Sequence, residues 1–76
     1  MTVHTFTPNQ QNALEALRTA DDLAGVDPEL SWRRDFAIGA KRQVLESLVR
    51  RRLVIQRLHG VHFEWKITPA GRLAVR

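Results

Sequence analysis

The side chains of this chain that could do chemistry are mainly cations, and the densest group of them follows residue 39. The stretch from Ala40 to Arg52 reads AKRQVLESLVRRR and carries five basic residues. Lysine and arginine bind phosphate oxygens, and arginine can donate two parallel hydrogen bonds to a phosphate or to a base edge. We therefore expect this stretch to bind an anionic ligand.

Charge is unevenly distributed along the sequence. Residues 1–30 carry one arginine against five acidic residues, a net charge of −4. Residues 31–76 carry eleven lysines and arginines against three acidic residues, a net charge of +8. Because clustered cations attract a polyanion, this asymmetry favours a nucleic acid as the partner.

Catalysis and metal binding find little support in the sequence. There is no glycine-rich phosphate loop and no nucleophile beside a suitable base, and a chain of 76 residues has little room for a substrate pocket. The absence of cysteine excludes disulfides and thiolate metal sites. His59 and His62 have the spacing of a metal pair but lack a convergent carboxylate cluster. We expect no enzymatic activity, no cofactor and no bound metal.

The length predicts one domain over residues 1–76. The apolar runs are too short to span a membrane, and the first residues lack the layout of a signal peptide. We therefore expect a cytoplasmic protein, with His4 superficial or disordered.

Two helix starts can be read in the first half. Thr7-Pro8-Asn9-Gln10 is a capping-box sequence, and the apolar residues after it predict a helix from residue 8 to about 20 or slightly beyond. Asp21-Asp22 and Gly25 break this pattern, which predicts a surface loop up to Asp27-Pro28. A second helix is expected over residues 28–37, with Trp32 and Phe36 on one face.

A third helix is predicted over residues 40–52, after a turn at Gly39. Its buried stripe is expected to consist of Val44, Leu45, Leu48 and Val49. The polar face is expected to present Lys41, Arg42, Gln43, Glu46, Ser47, Arg50 and Arg51.

A hairpin is predicted next, because the runs 53–58 and 61–67 bracket His59-Gly60. A two-residue loop there places Leu58 opposite Val61. The expected core face carries Val54, Leu58, Val61, Phe63 and Trp65, and the expected solvent face carries Arg57, His62, Glu64 and Lys66. Thr68-Pro69 predicts a final helical turn from which Leu73 and Val75 return to the core.

Two signatures carry a family resemblance: VLESLVRRRLV over residues 44–54 and, after the hairpin, ITPAGR over residues 67–72. Together, over about residues 28–76, they resemble the winged helix-turn-helix regulators of the MarR and PadR kind. The resemblance implies an α+β fold with a three-helix core, a two-stranded antiparallel wing and a short C-terminal helix. Arg52 departs from it, because the family tends to have a left-handed glycine there.

A second departure concerns assembly. Regulators of that kind commonly dimerise through extra terminal helices, and only about eight residues follow Thr68. We expect no such arm here, so the chain would bind one half-site with limited affinity unless it forms a homodimer through another surface or works beside a partner protein.

The resemblance assigns roles on double-stranded DNA. Lys41, Arg42 and Gln43 would read base edges in the major groove, and Ser47 would reach a base or a phosphate. The remaining contacts would be to backbone and flanking DNA, from Arg33 and Arg34 on the supporting helix, Arg50 and Arg51 at the far end of the third helix, and Arg57, His59 and His62 on the wing. The predicted function is that of a small bacterial or phage DNA-binding protein, a transcriptional regulator or accessory factor.

Alternative interpretations remain for these residues. Exposed lysine and arginine side chains are often only solvated charge. Trp32, Phe63 and Trp65 could stack on single-stranded bases, although their spacing favours a place in the core. The same fold also serves as a protein-interaction module, in which case the acidic first helix would be the binding surface.

Overall fold

A computed structural model describes residues 5–75, which form an α+β fold. Helix α1 spans Pro8–Ala24, a 3-10 helix spans Pro28–Ser31, α2 spans Asp35–Ile38 and α3 spans Arg42–Arg50. Strands β1 (Val54–His59) and β2 (His62–Ile67) form one antiparallel sheet, and α4 spans Pro69–Ala74. The expectation for His4 lies outside the described residues.

Helix α1 begins as its sequence predicts. The hydroxyl of Thr7 accepts a hydrogen bond from Gln10 N, and the Gln10 side chain accepts one from Thr7 N, which completes the capping box. The helix continues through Asp21 and Asp22 to Ala24, so the loop expected from residue 21 was placed too early. Contacts from elsewhere in the chain hold these two carboxylates, because Arg72 donates to both and Ser31 donates to Asp21.

The single second helix predicted over residues 28–37 was wrong. The segment forms two short helices separated by extended backbone at Trp32 and Arg33. Arg33 N donates to Trp65 O at 3.0 Å and Trp65 N donates to Arg33 O at 2.8 Å, so a bridge to β2 replaces helical hydrogen bonding there. As a result Trp32 is half-buried while Phe36 is 72% exposed, and they do not share a helix face.

Helix α3 is shorter than the predicted range but buries the predicted stripe. Leu45 and Leu48 are fully buried, and Val44 and Val49 pack against the core at its edge. Gly39 precedes the helix in the left-handed conformation, with φ of 78°, as expected of the turn residue.

The helix ends at a strained position. Arg52 has φ of 62° and is the only non-glycine with positive φ among residues 5–75. Arg52 N donates to Val49 O and Leu53 N donates to Leu48 O, at 2.9 and 3.1 Å. These two bonds form a Schellman motif, which requires the left-handed conformation that glycine adopts at least cost.

The hairpin is present, but its predicted register was wrong by two residues. Leu58 lies opposite Phe63 and His59 opposite His62, so the turn is Gly60-Val61. Gly60 has φ of 64° and Val61 has no positive φ, which fits a type II′ turn with glycine first. A shift of two preserves the alternation of faces, and Val54 and Trp65 are fully buried as predicted. The core placement of Leu58 and Val61 was wrong, because both lie at the turn end of the hairpin and are 64% and 87% exposed.

The ITPAGR segment packs α4 against the end of α3. The Thr68 hydroxyl accepts from Gly71 N and donates to Arg52 O, and Thr68 N donates to Leu53 O. A Cβ added at Gly71 would lie 2.2 Å from Leu53 O, so only glycine allows this close approach. Val75 returns to the core as predicted, whereas Leu73 is 63% exposed and does not.

One core joins these elements. Its buried members come from α1, α3, the hairpin, the link between α3 and β1, and the residue after α4, and include Leu14, Leu17, Leu45, Leu48, Leu53, Val54, Trp65, Ile67 and Val75. Phe63 is half-buried at the edge of this core. Within residues 5–75, no helix has both the length and the apolar character needed to cross a membrane.

Candidate nucleic-acid interface

The first turn of α3 exposes three polar side chains. Lys41, Arg42 and Gln43 are all exposed, and we call them the α3 first turn. Lys41 is the N-cap residue but makes no side-chain capping hydrogen bond, and no acidic residue lies in the first turn. A helix N-terminus carries partial positive charge, so acidic residues are favoured there and cations are not. Lys41 and Arg42 at this helix end are therefore electrostatically unfavourable in the protein alone, and the same arrangement is suited to binding an external anion.

A small concavity lies beside the α3 first turn. Its volume is about 210 Å³, and it is lined by Asn9, Asn12, Gly39, Ala40, Lys41 and Val44. Two asparagines of α1 and the lysine that precedes α3 therefore line this space, and their side chains end in an amide or an ammonium group. All three groups can donate hydrogen bonds to a phosphate oxygen.

Arg42 connects the α3 first turn to the hairpin. Its guanidinium lies 4.7 Å from the centroid of the Phe63 ring on β2. A cation over an aromatic face at this distance is attracted by the ring quadrupole. The contact leaves Arg42 exposed while restricting where its donors can point.

Arg34 approaches the hairpin from the other side. Its Nη2 donates to the His62 ring, 3.0 Å from Nδ1, and its guanidinium also lies 4.8 Å from the centroid of Phe36. His62 and Phe63 are adjacent on β2 and so point to opposite faces of the sheet. Arg34 and Arg42 thus place cations on both faces of the hairpin near its turn.

Two of the predicted contact residues are turned inward. Ser47 is half-buried rather than outside, because its hydroxyl accepts from Gln10 Nε2 at 3.0 Å and donates to Val44 O at 2.6 Å. The Arg33 guanidinium donates to the carbonyls of Leu30 and Trp32. The Ser47 hydroxyl and the Arg33 Nη1 are thus engaged in contacts within the protein.

Arg57 is enclosed by acidic and aromatic groups. Its guanidinium forms ion pairs with Glu29 at 2.9 Å and Glu64 at 2.8 Å and lies 4.3 Å from the centroid of Trp32. The hydrogen bond from Arg57 lowers the pKa of Glu29, and hydrogen bonds to Glu29 and Glu64 raise the pKa of Arg57. Its charge is largely compensated within the protein.

The remaining predicted cations differ in whether their side chains contact other groups among residues 5–75. Arg50 and His59 are exposed and make no side-chain hydrogen bond or ion pair with residues 5–75. Arg51 is exposed but donates to Thr5 O at 3.0 Å and lies 4.4 Å from the centroid of Phe6. Arg51 therefore holds the N-terminal segment against the end of α3.

The structure gathers some of the predicted residues and separates others. Lys41, Arg42 and Gln43 lie together and are joined by Arg42 to the hairpin, whereas Ser47, Arg33 and Arg57 serve internal contacts. Phe36 was predicted only as an apolar residue of the second helix, whereas its exposed ring lies against the Arg34 guanidinium. A signal did exist for Arg57, because the sequence places Arg57 and Glu64 on the same face of the predicted hairpin, where opposite charges can pair.

No protein-family model and no curated protein matches this chain. Within the described range, no group of three or more histidine or acidic side chains is placed to hold a metal ion.

Proposed function

We propose that this chain is a small DNA-binding protein of winged helix-turn-helix type, with α3 in the major groove and the β1–β2 hairpin as the wing on flanking DNA. The observation that carries the proposal is the α3 first turn. Three exposed donors stand at a helix N-terminus that has neither an acidic residue nor a side-chain cap. Recognition helices read bases with their N-terminal residues, which is where these donors are.

The roles follow from exposure and partners. Arg42 is suited to bidentate bonds with guanine O6 and N7, and Gln43 with adenine N6 and N7, each worth about 1–3 kcal/mol of discrimination. Lys41, beside the amide-lined concavity, is assigned to a phosphate. Arg50 at the other end of the helix supplies sequence-independent affinity. On the wing we assign His59 and the Arg34–His62 pair to flanking phosphates.

The salt dependence of binding tests the proposal. The full chain is titrated into fluorescein-labelled duplex DNA of random sequence between about 20 and 300 mM salt, and binding is followed by anisotropy. A protein that neutralises roughly 4–6 phosphates shows log K falling with log salt at a slope near −0.9 per phosphate. Absence of binding at the lowest salt would reject the proposal.

Variants separate base contacts from phosphate contacts. Arg42→Ala and Gln43→Ala should change the sequences selected from a random duplex library, whereas Arg50→Ala should weaken binding to all sequences and reduce the salt slope by about one. Arg72→Gln is the charge-matched control, because Arg72 is ion-paired with Asp21 and Asp22. The assigned roles fail if Arg50→Ala alters sequence preference and Arg42→Ala does not.

A second candidate function has one specific observation in its favour. Leu23, Val26 and Leu30 are 77%, 102% and 53% exposed, close in sequence to Asp22, Asp27 and Glu29. Apolar residues that are exposed together and bordered by acidic ones are typical of a protein-binding surface. In this alternative the chain is a winged-helix protein-interaction module that does not bind duplex DNA even at the lowest salt, and the Leu23→Ser/Leu30→Ser variant would lose its protein partner.

A further inference from the structure

The turn end of the β1–β2 hairpin projects beyond the core. Trp65 is the last fully buried residue of the sheet towards the turn, and three residue pairs and the Gly60-Val61 turn lie beyond it. At about 3.4 Å per residue, the turn therefore extends about 10 Å past Trp65. Residues 58–62, which we call the hairpin tip, are all exposed. The hairpin tip thus lies outside the core that holds the rest of the sheet.

The hairpin tip carries two exposed apolar side chains. Val61 at the turn is 87% exposed, and Leu58 is 64% exposed. Leu58 lies directly opposite Phe63, so these two side chains share a face of the hairpin. The Arg42 guanidinium lies over the Phe63 ring. The exposed apolar surface of the tip therefore begins next to a cation of the α3 first turn.

Cations border the hairpin tip on both faces. Arg42 lies on one face, and Arg34 lies on the other, 3.0 Å from the His62 ring. Residues 58–63 include no acidic side chain. An apolar end between two guanidinium groups is complementary to a surface with an apolar centre and anionic rims. A groove of duplex DNA, in which bases lie between two phosphate backbones, is such a surface.

We propose that the hairpin tip inserts Leu58 and Val61 as an apolar wedge into a base step of the minor groove, where it unstacks two base pairs and bends the duplex. This inference rests on the proposed function, in which α3 occupies the major groove. The contact between Arg42 and Phe63 holds the hairpin beside the first turn of α3. The tip therefore meets the neighbouring groove, which is the minor groove.

The width of the hairpin requires the DNA to deform. Its two strands are about 4.8 Å apart and carry side chains on both faces. The minor groove of B-form DNA is only about 6 Å wide, so the hairpin tip does not fit an undistorted groove. Apolar side chains inserted between base pairs unstack them and bend the duplex towards the major groove, which opens the minor groove. Contact of Leu58 and Val61 with the exposed base faces offsets the cost of unstacking.

The chemistry of the minor groove selects the base step. A G·C pair places the guanine N2 amino group in this groove, whereas an A·T pair presents only acceptor atoms there. An apolar side chain cannot hydrogen-bond to that amino group and would bury it without a partner. Pyrimidine–purine steps also unstack more easily than other steps. The expected target of the wedge is therefore a thymine–adenine step.

The fluorescence of 2-aminopurine measures unstacking directly, because neighbouring bases quench it while it is stacked. An alternating thymine–adenine duplex with 2-aminopurine in place of some adenines repeats the same step throughout, so the position of binding does not matter. At low salt, saturating full-length chain should raise the fluorescence about twofold or more. The Leu58→Ser/Val61→Ser variant should give at most about a fifth of this rise, with an unchanged salt slope because no cation is lost.

Val26→Ser is the matched control. It makes the same change at a position that is 102% exposed and lies outside the hairpin, so it should give the wild-type rise in fluorescence. Both altered residues of the double variant are exposed, and circular dichroism checks that it keeps the wild-type fold. An equal rise with the double variant and with wild type would overturn the wedge.

Anisotropy on the same duplex separates this inference from the proposed function. Saturable binding without a rise in fluorescence would overturn the wedge and leave the proposed function intact. Absence of binding at the lowest salt would reject both. Binding to phosphatidylserine vesicles that the Leu58→Ser/Val61→Ser variant loses, together with no unstacking of DNA, would assign the hairpin tip to a membrane surface and overturn the proposal.

Discussion

The guanidinium of Arg42 lies 4.7 Å from the centroid of the Phe63 ring, which ties the first turn of α3 to the second strand of the hairpin. The two residues are 21 positions apart in sequence. Through this contact, the side chain assigned to base reading is oriented by the element assigned to flanking DNA. Under the proposed function, α3 and the hairpin should therefore be coupled in DNA binding.

The Arg42–Phe63 pair yields a prediction on specificity. Phe63→Leu keeps an apolar side chain at the edge of the core but removes the ring on which Arg42 rests. Loss of a cation–π contact at an exposed site is worth about 0.5–1 kcal/mol, so we expect two- to fivefold weaker discrimination at the base that Arg42 reads. Sequence selection from a random duplex library measures this. Phe36→Leu, which removes the ring beneath Arg34 instead, is the control.

Replacing Gly71 by alanine is predicted to lower the free energy of unfolding, the opposite of the usual effect in a helix. In a helix interior, replacing glycine by alanine normally stabilises by up to about 1 kcal/mol. At position 71 the new Cβ would meet the Leu53 carbonyl oxygen at 2.2 Å, so we expect Gly71→Ala to destabilise by about 2–3 kcal/mol. Urea denaturation followed by circular dichroism measures the difference. A stabilised variant would show that α4 does not pack as closely as described.

Arg52 provides the opposite case. The left-handed conformation costs a non-glycine residue about 1–2 kcal/mol in the folded state. Glycine avoids this cost, but it also makes the unfolded chain more flexible, which offsets part of the gain in stability. Arg52→Gly should therefore raise the free energy of unfolding by about 0.5–1 kcal/mol. Arg50→Gly, in the last turn of α3, should lower it by up to about 1 kcal/mol. Equal effects at the two positions would contradict the Schellman ending.

Glu29 makes a prediction on pH dependence. The hydrogen bond from Arg57 lowers the pKa of Glu29 below its ordinary value of 4.5. The resulting stabilisation is therefore present above that pH and is lost as the pH falls through the lowered value of the folded state. Glu29→Gln should be less stable than wild type at pH 7, and the difference should shrink towards pH 3.

Thermal melts of both proteins across this pH range provide the measurement. The effect should be modest and should weaken in high salt, because Glu29 is exposed. Glu46→Gln, at an exposed position with no ion pair to residues 5–75, controls for the loss of one negative charge. A Glu29→Gln deficit that stays constant from pH 7 to pH 3 would contradict the assigned ion pair.

Local signals in the sequence predicted the ends of elements well. Thr7 and Thr68 cap α1 and α4 as their capping sequences indicate, because the donors they satisfy lie three residues away in the chain. The buried stripe of α3 was likewise predicted correctly, from the spacing of its apolar residues. At Arg52 the family resemblance left two outcomes open, a strained residue or a different helix end, and the structure shows the strained one. Each of these depends on neighbours within a few residues.

Interactions between distant residues account for what the sequence did not predict. The bridge between Arg33 and Trp65 divides the expected second helix, and no local pattern near Trp32 indicates it. The hydrogen bond from Gln10 to Ser47 links α1 to α3, and the Ser47 side chain is therefore half-buried and not on the exposed face of α3. Arg57 is ion-paired with Glu29, which lies on a different element, so its guanidinium is not available to an external ligand. Charge counting treats all exposed-looking cations alike and cannot detect such internal pairing.

Backbone amide shifts of the ¹⁵N-labelled protein, recorded as duplex DNA is added at low salt, test the central claim most directly. The account predicts the largest changes over residues 41–44 at the start of α3, with smaller changes over residues 59–63 at the hairpin turn. Little change is expected over residues 22–31, where the acidic and apolar side chains lie. Perturbation confined to residues 22–31, or none anywhere, would contradict the claim that the α3 first turn reads DNA.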